Sequence, residues 1–121
     1  MARILVADDD SQIASLVAMK LRLNGHEVVV VANGHEAIEA VDLARPDLCI
    51  LDVMMPGMDG FQVLAALRAR PDLAGLPIVL LTALGEEKHV VRAFKEKAND
   101  FVVKPFSPSE LLVRVERLLA A

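Results

Sequence analysis

The chain has 121 residues and a net charge of −4. That suits one domain with one core, and the sign excludes a general affinity for nucleic acid or anionic membrane. With no Trp or Tyr and one cysteine, Cys49, the chain has little to stack on bases, cannot form an internal disulfide and reads as the product of a reducing compartment.

The first residues run straight into a strand pattern, unlike a signal peptide or a membrane span. The apolar run Ile4-Leu5-Val6-Ala7 predicts a strand over 3–8, ending in Asp8 and Asp9. Residues 11–24 predict a helix, capped by Asp10 and stopped by Asn24-Gly25, with Ile13, Leu16, Val17 and Leu21 on its inner face. A strand at 27–31 and a helix at 34–44, with Ile38 and Val41 inward, follow. The run Leu48-Cys49-Ile50-Leu51 marks a strand at 47–52 that ends in Asp52, with Cys49 as a small buried hydrophobe. A loop packed by Met54, Met55 and Met58 leads to Asp59, the cap of a helix at 60–70. Phe61, Leu64 and Leu67 are its buried residues, and Arg68 and Arg70 read as a solvated face. The strand at 78–82 ends in Thr82. Next come a helix at about 86–97, with Val90, Val91 and Phe94 inward, and a strand at 100–103 that leads to Lys104-Pro105-Phe106. Ser107-Pro108-Ser109-Glu110 is a capping box with proline at N1, opening a helix striped by Leu111, Leu112, Val115, Leu118 and Leu119.

Five strands apolar on both faces, separated by single helices, predict an α/β fold: a doubly wound parallel sheet covered on both sides. Parallel strands release their carboxyl ends at one edge. Asp8, Asp9, Asp52, Thr82 and Lys104 would then surround one site. Two carboxylates about 4–5 Å apart repel by roughly 3–4 kcal/mol at an effective dielectric near 20. A cation or a proton relieves that repulsion, and hard oxygen ligands suit Mg²⁺. Lys104 would meet phosphoryl oxygens as a point charge, and Asp52 would serve as nucleophile, giving an acyl phosphate. His26, His35 and His89 are scattered and read as exposed. None stands at a strand end or has metal-ligand spacing, so no histidine base is indicated.

Four segments carry a resemblance: Ile-Leu-Val-Ala-Asp-Asp-Asp at 4–10, Asp-Val-Met-Met-Pro-Gly-Met-Asp-Gly at 52–60, Leu-Leu-Thr-Ala at 80–83 and Lys-Pro-Phe at 104–106. In this order and spacing the chain resembles, over its whole length, a CheY-like receiver domain of bacterial two-component response regulators. The resemblance implies a single receiver domain at 1–121, in the cytoplasm, with the flavodoxin-like strand order 2-1-3-4-5. It implies that Asp52 is the phosphoacceptor, with a phosphohistidine on a histidine kinase or phosphotransfer protein as donor. Asp9, Asp52 and the main-chain carbonyl of Met54 would bind Mg²⁺, with Asp8 acting through a coordinated water. Thr82 and Lys104 would contact phosphoryl oxygens, and the Lys104–Pro105 bond would be cis. Movement of Thr82 and inward turning of Phe101 would reshape the face of helix 4, strand 5 and helix 5. That face would meet a downstream protein or effector domain, or a second copy of the chain. No direct contact with nucleic acid or membrane is implied.

Four positions depart from the family pattern. Phe101 lacks the hydroxyl of a tyrosine, which weakens the contrast between its inward and outward states. Met54 and Leu84 are apolar and flank the route of an attacking water, which implies slow self-dephosphorylation. Lys97 stands where a glycine is usual, and a left-handed conformation there costs a lysine about 1 kcal/mol. Two rivals fit less well. An unphosphorylated scaffold on this fold has no need of the full carboxylate–Thr–Lys set. A stand-alone aspartyl phosphohydrolase needs an acid–base carboxylate two residues after its nucleophile, where this chain has Met54.

Overall fold

The apolar runs become five strands: β1 (Arg3–Ala7), β2 (Glu27–Val31), β3 (Leu48–Asp52), β4 (Ile78–Ala83) and β5 (Asp100–Lys104). In the computed structural model, which describes residues 1–121, they form one sheet of order β2-β1-β3-β4-β5, and every neighbouring pair is parallel. The helices are α1 (Ser11–Leu23), α2 (Gly34–Ala44), α3 (Gly60–Arg68), α4 (Glu87–Lys95) and α5 (Pro108–Ala120). None is long and apolar enough to cross a membrane.

Successive strand residues face opposite sides of a sheet, so a run apolar at every position feeds two cores. Ile4, Val6, Leu48, Ile50, Val79 and Leu81 pack with Val17 and Leu21 of α1 and Leu111 and Val115 of α5. Leu5, Ala7, Cys49, Leu51, Ile78 and Leu80 pack with Val41 of α2 and Phe61, Leu64 and Leu67 of α3. Burial pushes the Cys49 thiol up to about 12, against a small opposing pull from Arg68, so it stays an inert part of this layer.

Several local expectations need correction. Leu16 is half exposed, and the inner face of α1 is Ala14, Val17, Ala18 and Leu21, whose small alanines let the helix lie close to the sheet. Val91 and Phe94 of α4 are also exposed. This helix covers only the margin of the sheet above β4 and β5, and Ala93 is its buried residue. α3 stops at Arg68 instead of continuing to 70, and Pro71, which cannot extend a helix from within, opens a separate 3₁₀ turn at Pro71–Leu73. At α5 the Ser107 hydroxyl accepts from the Glu110 N–H (3.0 Å), but the Glu110 carboxylate lies 3.6 Å from Arg114 instead of completing the box. The reciprocal box forms at α3, between Asp59 and Gln62.

Arg68 and Arg70 are not a merely solvated face. Arg70 pairs with Asp42 (2.7 Å) and Asp72 (3.0 Å). Arg68 reaches across to the α4–β5 turn, donating to the Lys97 carbonyl (3.1 Å) and the Asn99 side chain (2.8 Å). That turn takes the left-handed conformation at Lys97 (φ 67°), with the Ala98 N–H bonded back to the Ala93 carbonyl in a Schellman arrangement. The Arg68 clamp helps a lysine hold a backbone that favours glycine. Lys97→Gly should therefore stabilise the fold by about 0.5–1 kcal/mol, read as a higher denaturant midpoint at unchanged slope.

Candidate functional site

β1 and β3 are central neighbours, and the chain leaves each strand at the same edge. β1 delivers Asp8 one residue past its end, and β3 delivers Asp52 as its last residue. Both side chains are almost fully buried. Lys104, the last residue of β5, arches over the sheet edge. Its ammonium donates to Asp52 Oδ2 at 3.0 Å and to Asp8 Oδ2 at 3.2 Å. The Lys104–Pro105 peptide is cis. Asp8 Oδ1 accepts from the Asp10 N–H (2.9 Å), and Asp52 Oδ1 accepts from the Met54 N–H (3.3 Å). Asp10 caps α1 through the N–H groups of Gln12 and Ile13.

The loop after β3 is held from below by Gly60. A Cβ there would collide with the Asp52 carbonyl and the Val53 backbone. A glycine at the first residue of α3 therefore lets the helix sit against the strand end that carries Asp52.

Asp9 is exposed beside the buried pair. One carboxylate oxygen each from Asp8, Asp9 and Asp52 can be chosen so that all lie within 4.8 Å of one another. Three hard anionic oxygens at that separation fit a divalent cation of the Mg²⁺ or Ca²⁺ kind, with room left for water or phosphate oxygens. The charge count supports this, since three carboxylates meet one ammonium. Burial raises the Asp52 carboxyl to about 6. The Asp8 carboxylate adds to the rise, and the hydrogen bond and charge of Lys104 oppose it. Burial works against the Lys104 charge as well, but hydrogen bonds and attraction from Asp52 and Asp8 outweigh it and hold its pKa above the usual lysine range.

Thr82 stands on β4 next to this group and is buried, yet it bonds elsewhere. Its Oγ1 lies 3.2 Å from Nδ1 of His89. His89 is thus not exposed, nor remote from the strand ends. It occupies the first turn of α4 and turns back toward β4, packing edge-on against Phe61 (5.6 Å between centroids). The only hint in the sequence is spacing, seven residues after Thr82 and one turn into the next helix. His26 is also mostly covered, accepting from the Ala2 N–H (3.2 Å) at the far end of the sheet, while His35 is exposed. Phe101 is half-buried and meets Phe94 edge-on at 5.4 Å. Met54 and Leu84 are largely exposed.

The family model for the response regulator receiver domain matches residues 4–116. The DNA-binding response regulator MtrA of Mycobacterium tuberculosis is 44% identical over 117 residues, which cover 97% of this chain and 50% of that protein. The phosphate regulon transcriptional regulatory protein PhoB of Rhizobium meliloti is 42% identical, over 97% of this chain and 52% of its own. The chain spans about half the length of the curated relatives it matches. Among solved structures, the chemotaxis response regulator CheY4 of Vibrio cholerae superposes with a TM-score of 0.91 at 35% identity, covering 98% of each chain. The receiver domain of the Francisella response regulator 1452 gives 0.91 at 33% identity, covering 99% of this chain and 98% of its own. The family match, with an acidic cluster and a lysine at the carboxyl edge of a doubly wound sheet, is consistent with phosphorylation-dependent switching. This chain belongs to the receiver-domain family of two-component response regulators.

Proposed function

We propose that residues 1–121 work as one receiver unit in the cytoplasm that accepts a phosphoryl group on Asp52. The observation that carries this is the single ammonium of Lys104 held between Asp52 and Asp8 (3.0 and 3.2 Å) with Asp9 alongside. An Asp52 oxygen attacks the phosphorus of a phosphohistidine on a histidine kinase or phosphotransfer protein. The P–N bond breaks, and its electron pair returns to the donor imidazole. With its pKa near 6, Asp52 is mostly ionised at neutral pH and ready to attack. Asp8, Asp9 and Asp52, with the main-chain carbonyl of Met54, are the groups that would hold Mg²⁺, which when bound neutralises charge on the phosphoryl oxygens. Lys104 pairs with one phosphoryl oxygen and the Thr82 hydroxyl donates to another.

Drawing Thr82 toward the phosphoryl group leaves space behind β4, into which Phe101 turns. The α4–β5–α5 face then changes shape. Val91, Phe94 and Val113 lie exposed there beside the Asp100–Arg114 ion pair. That mixture supports docking of an effector domain, a downstream protein or a second copy, with no part for direct nucleic-acid or membrane contact. Intact-mass measurement after incubation with acetyl phosphate tests the reading. One phosphoryl group should be gained with Mg²⁺ and none with a chelator, and equal gain in both would overturn it.

Met54 and Leu84 offer no group that could orient or deprotonate an attacking water at the rim of the site. Self-dephosphorylation should therefore be slow, with the acyl phosphate lasting minutes or longer in Mg²⁺. Decay within seconds would refute this.

A further inference from the structure

We propose that His89 is a positioning residue that sets which way the Thr82 hydroxyl proton points, and so couples phosphoryl acceptance to the protonation of its own imidazole. The inference rests on the reading of Asp52 as phosphoacceptor. The Thr82 hydroxyl has one proton to give, and in this structure its partner is His89 Nδ1 at 3.2 Å. The imidazole has a neighbour on each side. Its ring lies edge-on to Phe61 of α3, and its Nε2 lies 3.9 Å from the Glu86 carboxylate at the start of α4.

The chemistry of the two protonation states differs. A neutral imidazole with a proton on Nε2 presents a bare Nδ1, so Thr82 donates to it, and that bond must break before the hydroxyl can serve a phosphoryl oxygen. The other neutral tautomer turns a lone pair toward Glu86 and is disfavoured. In the imidazolium both nitrogens donate. Nδ1–H then donates to Thr82 Oγ1, Nε2–H faces Glu86, and the hydroxyl proton is free to point at the phosphoryl group. Protonation of His89 therefore favours the phosphorylated arrangement. Histidine is the side chain whose ordinary titration falls between pH 5 and 8. Arg92 of α4 lies over the Phe61 ring, its guanidinium carbon 4.3 Å from the centroid, and is paired with Glu96. α3 presents the apolar Phe61 ring, and β4 presents Thr82. Asp52 and Lys104 stand in the neighbouring acidic site.

Coupling of this kind is reciprocal. A bound phosphoryl mimic should raise the pH at which His89 titrates by the same factor that protonation tightens the mimic. One hydrogen bond is worth about 3- to 10-fold, or roughly 0.5–1 pH unit. The experiment follows the imidazole resonances by NMR across pH, with and without saturating beryllofluoride and Mg²⁺. The midpoint should rise in the parent chain. In Thr82→Val, which removes the hydroxyl and keeps the shape, the rise should vanish. His89→Asn keeps a hydrogen-bonding group near the Nδ1 position but does not titrate. Asp52 titrates over the same range in both chains, so the readout is the parent-to-variant affinity ratio, which should rise about 3- to 10-fold as the pH falls through the histidine range. An unmoved midpoint with the mimic bound, or an equal rise in Thr82→Val, would overturn the coupling and leave the Asp52 reading intact. Failure of beryllofluoride to bind at any pH would instead bring down the Asp52 reading, and this inference with it.

Discussion

Asp52→Asn should lose all phosphoryl gain from acetyl phosphate and, at pH 7, be more stable than the parent by about 1–2 kcal/mol. The first effect follows from removal of the attacking oxygen. The second follows from crowding, because burial and the Asp8 carboxylate hold Asp52 at about 6 against an ordinary 3.8. A carboxyl raised in this way binds its proton more tightly folded than unfolded. Its contribution to stability is complete below pH 3.8 and is lost as the pH rises through 6. The full rise corresponds to at most about 3 kcal/mol at pH 7, and water at the open rim screens part of it. The advantage of Asp52→Asn should therefore shrink between pH 7 and pH 4. Mg²⁺ should close the gap from the other side, stabilising the parent by mass action and the variant much less. Urea titrations at two pH values, with and without Mg²⁺, read all of these. A variant less stable than the parent at pH 7 would show that Asp52 is a structural anchor.

Lys104→Ala should act in the opposite direction, costing about 1–3 kcal/mol at pH 7. Lys104 is the only cation in direct contact with Asp8 or Asp52. Without it two nearly buried carboxylates face each other unpaired. The loss falls below the 3–5 kcal/mol typical of a broken buried pair because Asp52 can escape by taking a proton. Lowering the pH toward 5, or adding Mg²⁺, should recover much of it. The same three-charge cluster thus responds with opposite signs to loss of an acid and loss of the base. That pattern marks a site held short of its best stability for the sake of charge it is built to receive.

The sheet was legible because its strands are short apolar runs and four of the five lead into a polar group, a pattern that needs no tertiary information. The cluster of Asp8, Asp52 and Lys104 was legible for the same reason, since strand ends in a parallel sheet converge by topology. Helix faces were less so. Leu16, Val91 and Phe94 fit an inward stripe by periodicity, but Ala14, Ala18 and Ala93 make the contact, because a small residue lets a helix approach the sheet. Away from the strand ends, contacts between elements distant in sequence were not legible. Arg68 on the α4–β5 turn and Gly60 under Asp52 depend on how α3 lies across the sheet. His89 depends on the tilt of α4, which no local pattern sets.

Reductive trapping tests the central chemistry most directly. Borohydride converts an aspartyl phosphate to homoserine, and peptide mapping then shows where the phosphoryl group stood. After incubation with acetyl phosphate and Mg²⁺, homoserine is expected at position 52. Homoserine at Asp8 or Asp9, or no homoserine despite a gain in mass, would contradict it.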